Sequence, residues 1–516
     1  MAPIPRAIAD GCYELVNVKE PFFCPRFALQ DPCFNAATIR TRTSMPRDRI
    51  VPLIIAVALF MENMDSTVIS TSLPAIAADI GANPLALKLA VTSYLLSLAI
   101  FIPASGWTTD RFGARTVFRA AIAVFVLGSI GCALSSSLTD FVVARIIQGM
   151  GGAMMTPVGR MVLVRTISKR ELIGAMTWVT TPALIGPVLG PPVGGFITTY
   201  ASWHWIFIIN VPIGLMGIAL ATRFIPDVRA EDHIRFDVVG MVLAGLGIGG
   251  MAFGLSVLGL NFLPWTVVAG LIFGGTCFVV AYLVHARHTE NPALDLSLFR
   301  LPTFFVAVCG GFIFRLGLGA LPFLLPLMLQ IGFGMTPFQS GMITFATAFG
   351  AMGMKWATAT ILRRFGFRNI LVINSIISSA FLAVCAAFTA TTPIWVMMIL
   401  LLVGGFFRSL QFTSINTIAY ADVDSHRVSR ATSLVSVAQQ LAISSGVALG
   451  AMSVELTVYF RGGGPLRAAD FSPAFLAVAA ISALSVLIFL QLQPEAGAEM
   501  ADRLPTPAET SDQRVA

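Results

Sequence analysis

Arg111-Phe-Gly-Ala-Arg115 recurs as Arg364-Phe-Gly-Phe-Arg368, 253 residues later (364 − 111). Each copy sits between two long apolar runs. The same offset carries the start of the first apolar segment, residue 50, onto the start of the ninth, residue 303. The chain therefore reads as a duplicated unit, two six-helix halves flanking an inserted pair of segments, an arrangement suited to alternating access at the interface of the repeats. Working outward, fourteen segments approach the roughly 20 apolar residues that a transmembrane helix needs: 50–72, 87–108, 116–134, 140–161, 172–198, 204–222, 237–259, 264–284, 303–330, 339–361, 369–389, 394–416, 432–458 and 473–491.

Composition agrees with that reading. The 516 residues are 56% hydrophobic and 11% charged, with a mean hydropathy of +0.83, whereas a soluble domain carries about a quarter charged residues. A water-soluble fold and a disordered chain are both excluded, and a membrane barrel would show segments of about 10 residues with alternating polarity. The expected class is an all-α polytopic membrane protein with fourteen transmembrane helices. The net charge of +7 does not point to nucleic acid, because the basic residues lie in short loops. Seven cysteines show no C-x-x-C or other metal or redox spacing, so neither cofactor nor metal is expected. His285 and His288, three apart, lack a third ligand nearby and read as part of a solvated loop.

Loop charge gives orientation. The even-numbered gaps carry sixteen basic residues (Arg111, Arg115, Arg119; Arg165, Lys169, Arg170; Arg223, Arg229, Arg235; Arg287, Arg300; Arg363, Arg364, Arg368; Arg427, Arg430), against Lys88, Arg461 and Arg467 in the odd-numbered ones. Lys and Arg favour cytoplasmic loops, which places both termini in the cytoplasm and the chain as a multi-pass protein in the plasma membrane, the bacterial inner membrane. Residues 1–44 hold five prolines and no sustained apolar run. They read as an N-terminal extension, either disordered or upstream of a true start at Met45. The domains that follow are a first six-helix bundle over 45–222, a linker with two extra helices over 223–302, a second six-helix bundle over 303–492 and a cytoplasmic tail over 493–516.

Charged groups inside hydrocarbon cost about 2.5–3.5 kcal/mol each on insertion scales, so each asks for a partner or a purpose. Glu62 and Asp65, three apart in the first segment, share one helical face. At 1.5 Å per residue Asp65 lies about 20 Å from the cytoplasmic end, with Glu62 a turn closer to the midplane, while Arg145 lies about 8 Å in from the outer end of an antiparallel segment. Asp65 and Arg145 thus share a depth, and an ion pair between them is expected. Glu62 is then left without a base, a carboxyl able to exchange a proton. Gly186, Gly190 and Gly194 form a small-residue ridge that lets helices approach closely, and Pro187, Pro191 and Pro192 bend the same segment.

These residues together resemble the major facilitator superfamily, specifically its fourteen-span drug:proton antiporter family of EmrB and QacA type, in the MdtD-like branch. The resemblance covers residues 46 to about 492. Phe60-Met-Glu-Asn-Met-Asp-Ser-Thr-Val-Ile-Ser-Thr-Ser-Leu-Pro74 resembles the family's first signature, and Gly106-Trp-Thr-Thr-Asp-Arg-Phe-Gly-Ala-Arg115 the superfamily loop motif. Arg145-Ile-Ile-Gln-Gly149, Gly186-Pro-Val-Leu-Gly-Pro-Pro-Val-Gly-Gly195 and Trp203-His-Trp-Ile-Phe-Ile-Ile-Asn-Val-Pro-Ile-Gly214 follow in the same order. The resemblance implies proton-driven export of small lipophilic or cationic compounds, with Asp65 and Glu62 as coupling acids and Arg145 modulating them. It also implies a gating latch at Asp110, Arg111, Gly113 and Arg115, and a bending helix at Gly186, Pro187, Gly190, Pro191, Gly194 and Gly195. A carboxylate near a cytoplasmic helix N-terminus gains about 0.3–1 kcal/mol, enough to bias a state and weak enough to release. The second copy departs from the pattern, with Arg363 at the acid's place and Ala359 at the leading glycine's, so its latch should be weaker.

The second half offers Arg315, Lys355 and Arg408 within its segments and no acid at comparable depth before Glu455. Arg315, Arg408, Gln411 and Met154 are the candidate substrate contacts, and the cations keep open an alternative, export of an organic anion or other metabolite. An enzyme is not expected: H-E-x-x-H and G-x-S-x-G are absent, as is the G-x-x-x-x-G-K-[ST] of an ATP-driven pump. The expected partners are a small-molecule substrate, protons and the lipid bilayer; the sequence leaves open a periplasmic adaptor.

Overall fold

The computed structural model describes residues 47–167, 172–227, 237–258 and 263–501. The expectations for residues 1–44, for most of the loop after residue 227 and for the tail beyond 501 lie outside the described residues. Within them the chain is helical throughout, in the order α1 (Arg47–Asp79), α2 (Lys88–Phe101), α3 (Ser105–Phe112), α4 (Ala114–Ala133), α5 (Leu138–Thr166), α6 (Leu172–Tyr200), α7 (Trp205–Ile208), α8 (Asn210–Phe224), α9 (Val238–Val257), α10 (Trp265–His288), α11 (Pro302–Leu327), α12 (Pro337–Phe365), α13 (Phe367–Val384), α14 (Ile394–Ile418), α15 (Val428–Phe460) and α16 (Phe471–Phe489).

Each apolar segment marked in the sequence falls on a helix, and twelve helical stretches are long and apolar enough to cross a membrane. The two that fall outside that twelve are α6 and α12, each 29 residues long. α12 carries Gln339, Lys355, Arg363 and Arg364 along its length, whereas α6 is as apolar as its neighbours; the two meet through small residues that let backbones approach closely. A Cβ added to Gly195 of α6 would overlap the carbonyl of Pro337 on α12, and one added to Gly341 of α12 would overlap the carbonyl of Pro191 on α6.

The repeat seen in the sequence has a backbone counterpart. Gly113 (φ 86°, ψ 141°) ends α3 and opens α4, and Gly366 (φ 75°, ψ 162°), 253 residues on (366 − 113), ends α12 and opens α13. A single left-handed glycine turns each chain from one helix directly into the next, a conformation that L-residues adopt at a cost. Gly113→Ala and Gly366→Ala are each expected to cost about 1–3 kcal/mol, read as a lower thermal midpoint in detergent; an unchanged midpoint for both would remove the conformational reason for the repeated motif.

Along their lengths α1 packs on α6, α4 on α5, α11 on α15 and α16, and α12 on α14. The intervening helices α9 and α10 pack on each other, and α9 touches both α2 and α15. The loop before α11 is tied to the start of α15 by Asp295, which accepts hydrogen bonds from Ser297 and Arg427. Burial works against its charge, but those bonds and the Arg427 guanidinium hold the Asp295 carboxyl below the usual carboxylate range.

At the end of the molecule away from the arginine-rich loops, helices of residues 47–227 meet those of 302–501. Phe338 N–H donates to Thr199 Oγ1 at 3.0 Å, and Gln330 Nε2 to the Thr71 carbonyl at 2.9 Å. Lys88 Nζ, fully buried at the start of α2, reaches Glu455 Oε1 on α15 at 3.0 Å. The two charges that stood apart as exceptions in the sequence are partners.

Candidate functional site

Asp65 lies in α1 and Arg145 in α5, as depth alone required, and their side chains meet at 2.8 Å with each only 1% exposed. The pair is the centre of a larger node. Asp65 Oδ2 accepts from Arg145 Nη1, while Oδ1 accepts from Gln148 Nε2 and from Asn210 Nδ2, both at 2.8 Å. Gln148 Oε1 in turn accepts from Arg145 at 2.6 Å, and Gln148 Nε2 also donates to Ser129 Oγ at 2.8 Å. Arg145 Nε donates to the Ala90 carbonyl at 3.4 Å, and its guanidinium lies 4.1 Å from the centroid of the Tyr94 ring. Side chains or carbonyls of α1, α2, α4, α5 and α8 thus converge on one buried carboxylate. Such closure is what makes a buried charge tolerable, since a charge without its hydrogen bonds costs several kcal/mol.

Gln148, Asn210, Ser129 and Tyr94 were not singled out in the sequence. Charge marked the candidates in the sequence, and uncharged polar residues, though also costly to bury unpaired, carry none. Gln148 stands three residues after Arg145, on the same face of α5, and that spacing was the available signal.

Glu62 lies a turn from Asp65 on α1 and is partly buried. Its Oε2 accepts one hydrogen bond, from Thr156 Oγ1 of α5 at 2.8 Å. Arg160, also on α5, acts on it electrostatically, so α5 supplies a second base that the sequence count of one base to two acids did not include. The Tyr94 hydroxyl is buried and without a hydrogen-bond partner, while its ring lies against the Arg145 guanidinium. A Cβ on Gly152 would lie 3.1 Å from that hydroxyl and 3.7 Å from Glu62 Cγ, so the glycine leaves room for both.

The ridge on α6 faces α1. A Cβ on Gly186 would lie 3.0 Å from the Phe60 carbonyl, one on Gly194 2.5 Å from the Val68 carbonyl, and one on Gly190 would overlap Thr67. The Pro191 carbonyl accepts from Thr71 Oγ1 at 3.4 Å. Pro187, in mid-helix, removes one donor from α6. The helix that carries the ridge is therefore seated against the helix that carries both acids.

Asp110 and Arg111 lie in the last turn of α3, Gly113 at its C-terminal cap and Arg115 at the start of α4. Here the structure differs from the helix-terminus argument: Asp110 Oδ1 pairs with Arg165 Nη2 at 2.7 Å, at the C-terminal end of α5. Both groups are more than a quarter exposed, so this is a solvated ion pair of the weak kind.

Of the candidate substrate contacts, Met154 is partly buried and its sulfur lies 3.7 Å from Thr108 Oγ1. Arg315 is buried in α11, and its Nη2 donates to Asn416 Oδ1 at 2.7 Å. Arg408 is buried in α14. Gln411 is placed differently from expectation. Its Nε2 donates to the Leu371 carbonyl and to Ser375, and its Oε1 accepts from Asn374, so its amide is committed to α13. A buried amide that reaches backbone and hydroxyl partners satisfies its own polar atoms and binds two helices together.

The family model described as "Major Facilitator Superfamily" matches residues 55–447 and again 307–509. A relative from Salmonella heidelberg, "Putative multidrug resistance protein MdtD", is 38% identical over 448 residues, which covers 85% of this chain and 94% of that one. Among solved structures, the D-xylose-proton symporter superposes with a TM-score of 0.62 at 15% identity, over 87% of this chain and 98% of that one. A bacterial homologue of the human lysosomal transporter Spinster, in an inward-facing and unoccupied conformation, superposes at 0.61 and 14% identity, over 90% and 100%.

Proposed function

Because the chain belongs to the major facilitator superfamily, and is thereby a multi-pass membrane transporter rather than an enzyme, we propose that it exports small lipophilic or cationic compounds against proton entry. The reading extends to fourteen spans in the bacterial inner membrane, two six-helix bundles around a central path, and both termini in the cytoplasm. The observation that carries it is the pair of acids on one face of α1, one held by a closed node and the other by a single hydroxyl.

The geometry suggests a division of labour. Asp65 holds α1, α5 and α8 together through Arg145, Gln148 and Asn210, so loss of its charge loosens three helices at once. Glu62, with only Thr156 donating to it, can trade a proton without dismantling the node. Movement follows from the contacts at the closed end, which must part for the path to open there; the Asp110–Arg165 pair, weak and solvated, can give as α3 and α5 shift. In this state the path faces the end that carries the arginine-rich loops.

Glu62→Gln is the test of coupling. In inverted vesicles loaded through a proton gradient, the variant should lose uphill accumulation of a cationic dye such as ethidium by about tenfold or more, the scale set by removing one proton-transfer group, while downhill equilibration continues. Uphill accumulation equal to the parent's would remove Glu62 from the mechanism. The second reading, export of an organic anion on the same fold, is favoured by one observation: Arg315 is buried and bonded to an amide, with no acid paired to it among the described residues.

A further inference from the structure

Between α12 and α14, toward the arginine-rich end, a cavity of about 480 Å³ is lined by Lys355, Ser409, Phe412, Thr413, Asn416 and Tyr420, among others. Lys355 is the exposed cation of this wall and has no acid paired with it among the described residues. Directly behind the wall stands Arg315, 2% exposed. Two lining residues hold it: Asn416 Oδ1 accepts from its Nη2 at 2.7 Å, and the Phe412 ring centroid lies 5.3 Å from its guanidinium carbon. Its Nε is buried with no hydrogen-bond partner. Arg408, on the same helix as the lining residues, is also buried without a carboxylate beside it.

A polar cavity inside a membrane protein, with one cation on its surface and another behind it, lacks a negative charge. Ionisable groups at such depth persist when they are paired or when they serve a ligand, and a guanidinium with an unused donor matches the geometry of a carboxylate. We infer that this cavity is a substrate subsite for an organic anion, whose acidic group pairs with the Lys355 ammonium on a wall that the buried Arg315 backs through Asn416 and Phe412. The Phe412 ring takes the apolar body of the ligand, and the hydroxyls of Ser409 and Thr413 supply its remaining hydrogen bonds. The inference rests on the second of the two transport readings, export of an organic anion, and deepens it by giving the place where the acidic group binds.

The experiment compares 2-naphthoate with its uncharged amide, 2-naphthamide, as ligands of the purified full-length protein in detergent, by titration calorimetry. The wild type should bind the acid about tenfold or more tighter than the amide, a difference set by one charge-assisted hydrogen bond. Lys355→Gln should bring that ratio close to one, and Lys355→Arg should keep most of it; because Lys355 faces open space, neither change should disturb folding, and an unchanged thermal midpoint checks that. Equal affinities in the wild type, a ratio unmoved by Lys355→Gln, or no naphthoate binding below about 1 mM would each overturn the subsite. Detergent binding uses no gradient, so its failure is distinct from failure of the vesicle assay, which bears on proton-driven transport alone.

Discussion

Asp65→Asn should reduce proton-driven accumulation in inverted vesicles to the level of vesicles without the protein. Asp65 takes three hydrogen bonds at 2.8 Å, one of them its ion pair with Arg145, and the amide keeps the shape of the side chain while removing its charge. Two consequences follow. Arg145, 1% exposed, loses its counter-charge, and one partner stripped from a buried pair costs about 3–5 kcal/mol. On the proposed mechanism the variant also loses one of the two acids on α1 that carry the coupling. Stability and coupling are separated by the double variant Asp65→Asn/Arg145→Gln, in which the uncompensated cation is gone. Its thermal midpoint in detergent should recover most of the loss, because the two changes remove one interaction together, yet accumulation should stay at background. Recovery of transport along with stability would make Asp65 a structural residue and leave the coupling to Glu62.

Much of this site was legible before any coordinates, and the pattern of what was not has a physical cause. The helices were legible because hydrocarbon demands long apolar runs; the close approach of α6 to α12 at Gly195 and Gly341 was not, because it depends on which helices the fold sets side by side. The Asp65–Arg145 pair was legible from depth, because a charge in a membrane span is costly and few partners share its level. Gln148 and Asn210 lie inside two of the quoted motifs and Ser129 in none; what the sequence did not show is that all three close the same node, because their partners lie on other helices. Gln411 shows the reverse error. Its place a turn from Arg408 suggested a shared face, but the side chain turns to Asn374, Leu371 and Ser375 of α13, a choice made by the neighbouring helix and invisible to spacing along one. Lys88 and Glu455 were visible singly, as exceptions to loop charge and to depth; only packing of α2 against α15 made them a pair.

Gly341→Val should lower the transport rate roughly tenfold or more by holding apart the end of the molecule that is closed here. At this position even a methyl group would overlap the Pro191 carbonyl, and at Gly195, across the same contact, one would overlap the Pro337 carbonyl. Both obstacles are backbone, so neither can swing aside as a side chain would, and overpacking of such a contact costs typically 1–3 kcal/mol. That cost falls only on the state in which α6 and α12 touch. A shift of about 1.4 kcal/mol changes the ratio of two states tenfold, so a penalty confined to one state redistributes the population instead of simply unfolding the protein. Spin labels placed at Tyr200 and Gln339, both partly or fully exposed beside this contact, should report the change as a longer distance in Gly341→Val than in the parent. The Phe338–Thr199 hydrogen bond and the Lys88–Glu455 pair would part with it, so Lys88→Gln should move the same distance in the same direction by a smaller amount. Unaltered distances in Gly341→Val, with transport intact, would mean that this tight contact is rigid packing and that the path opens elsewhere.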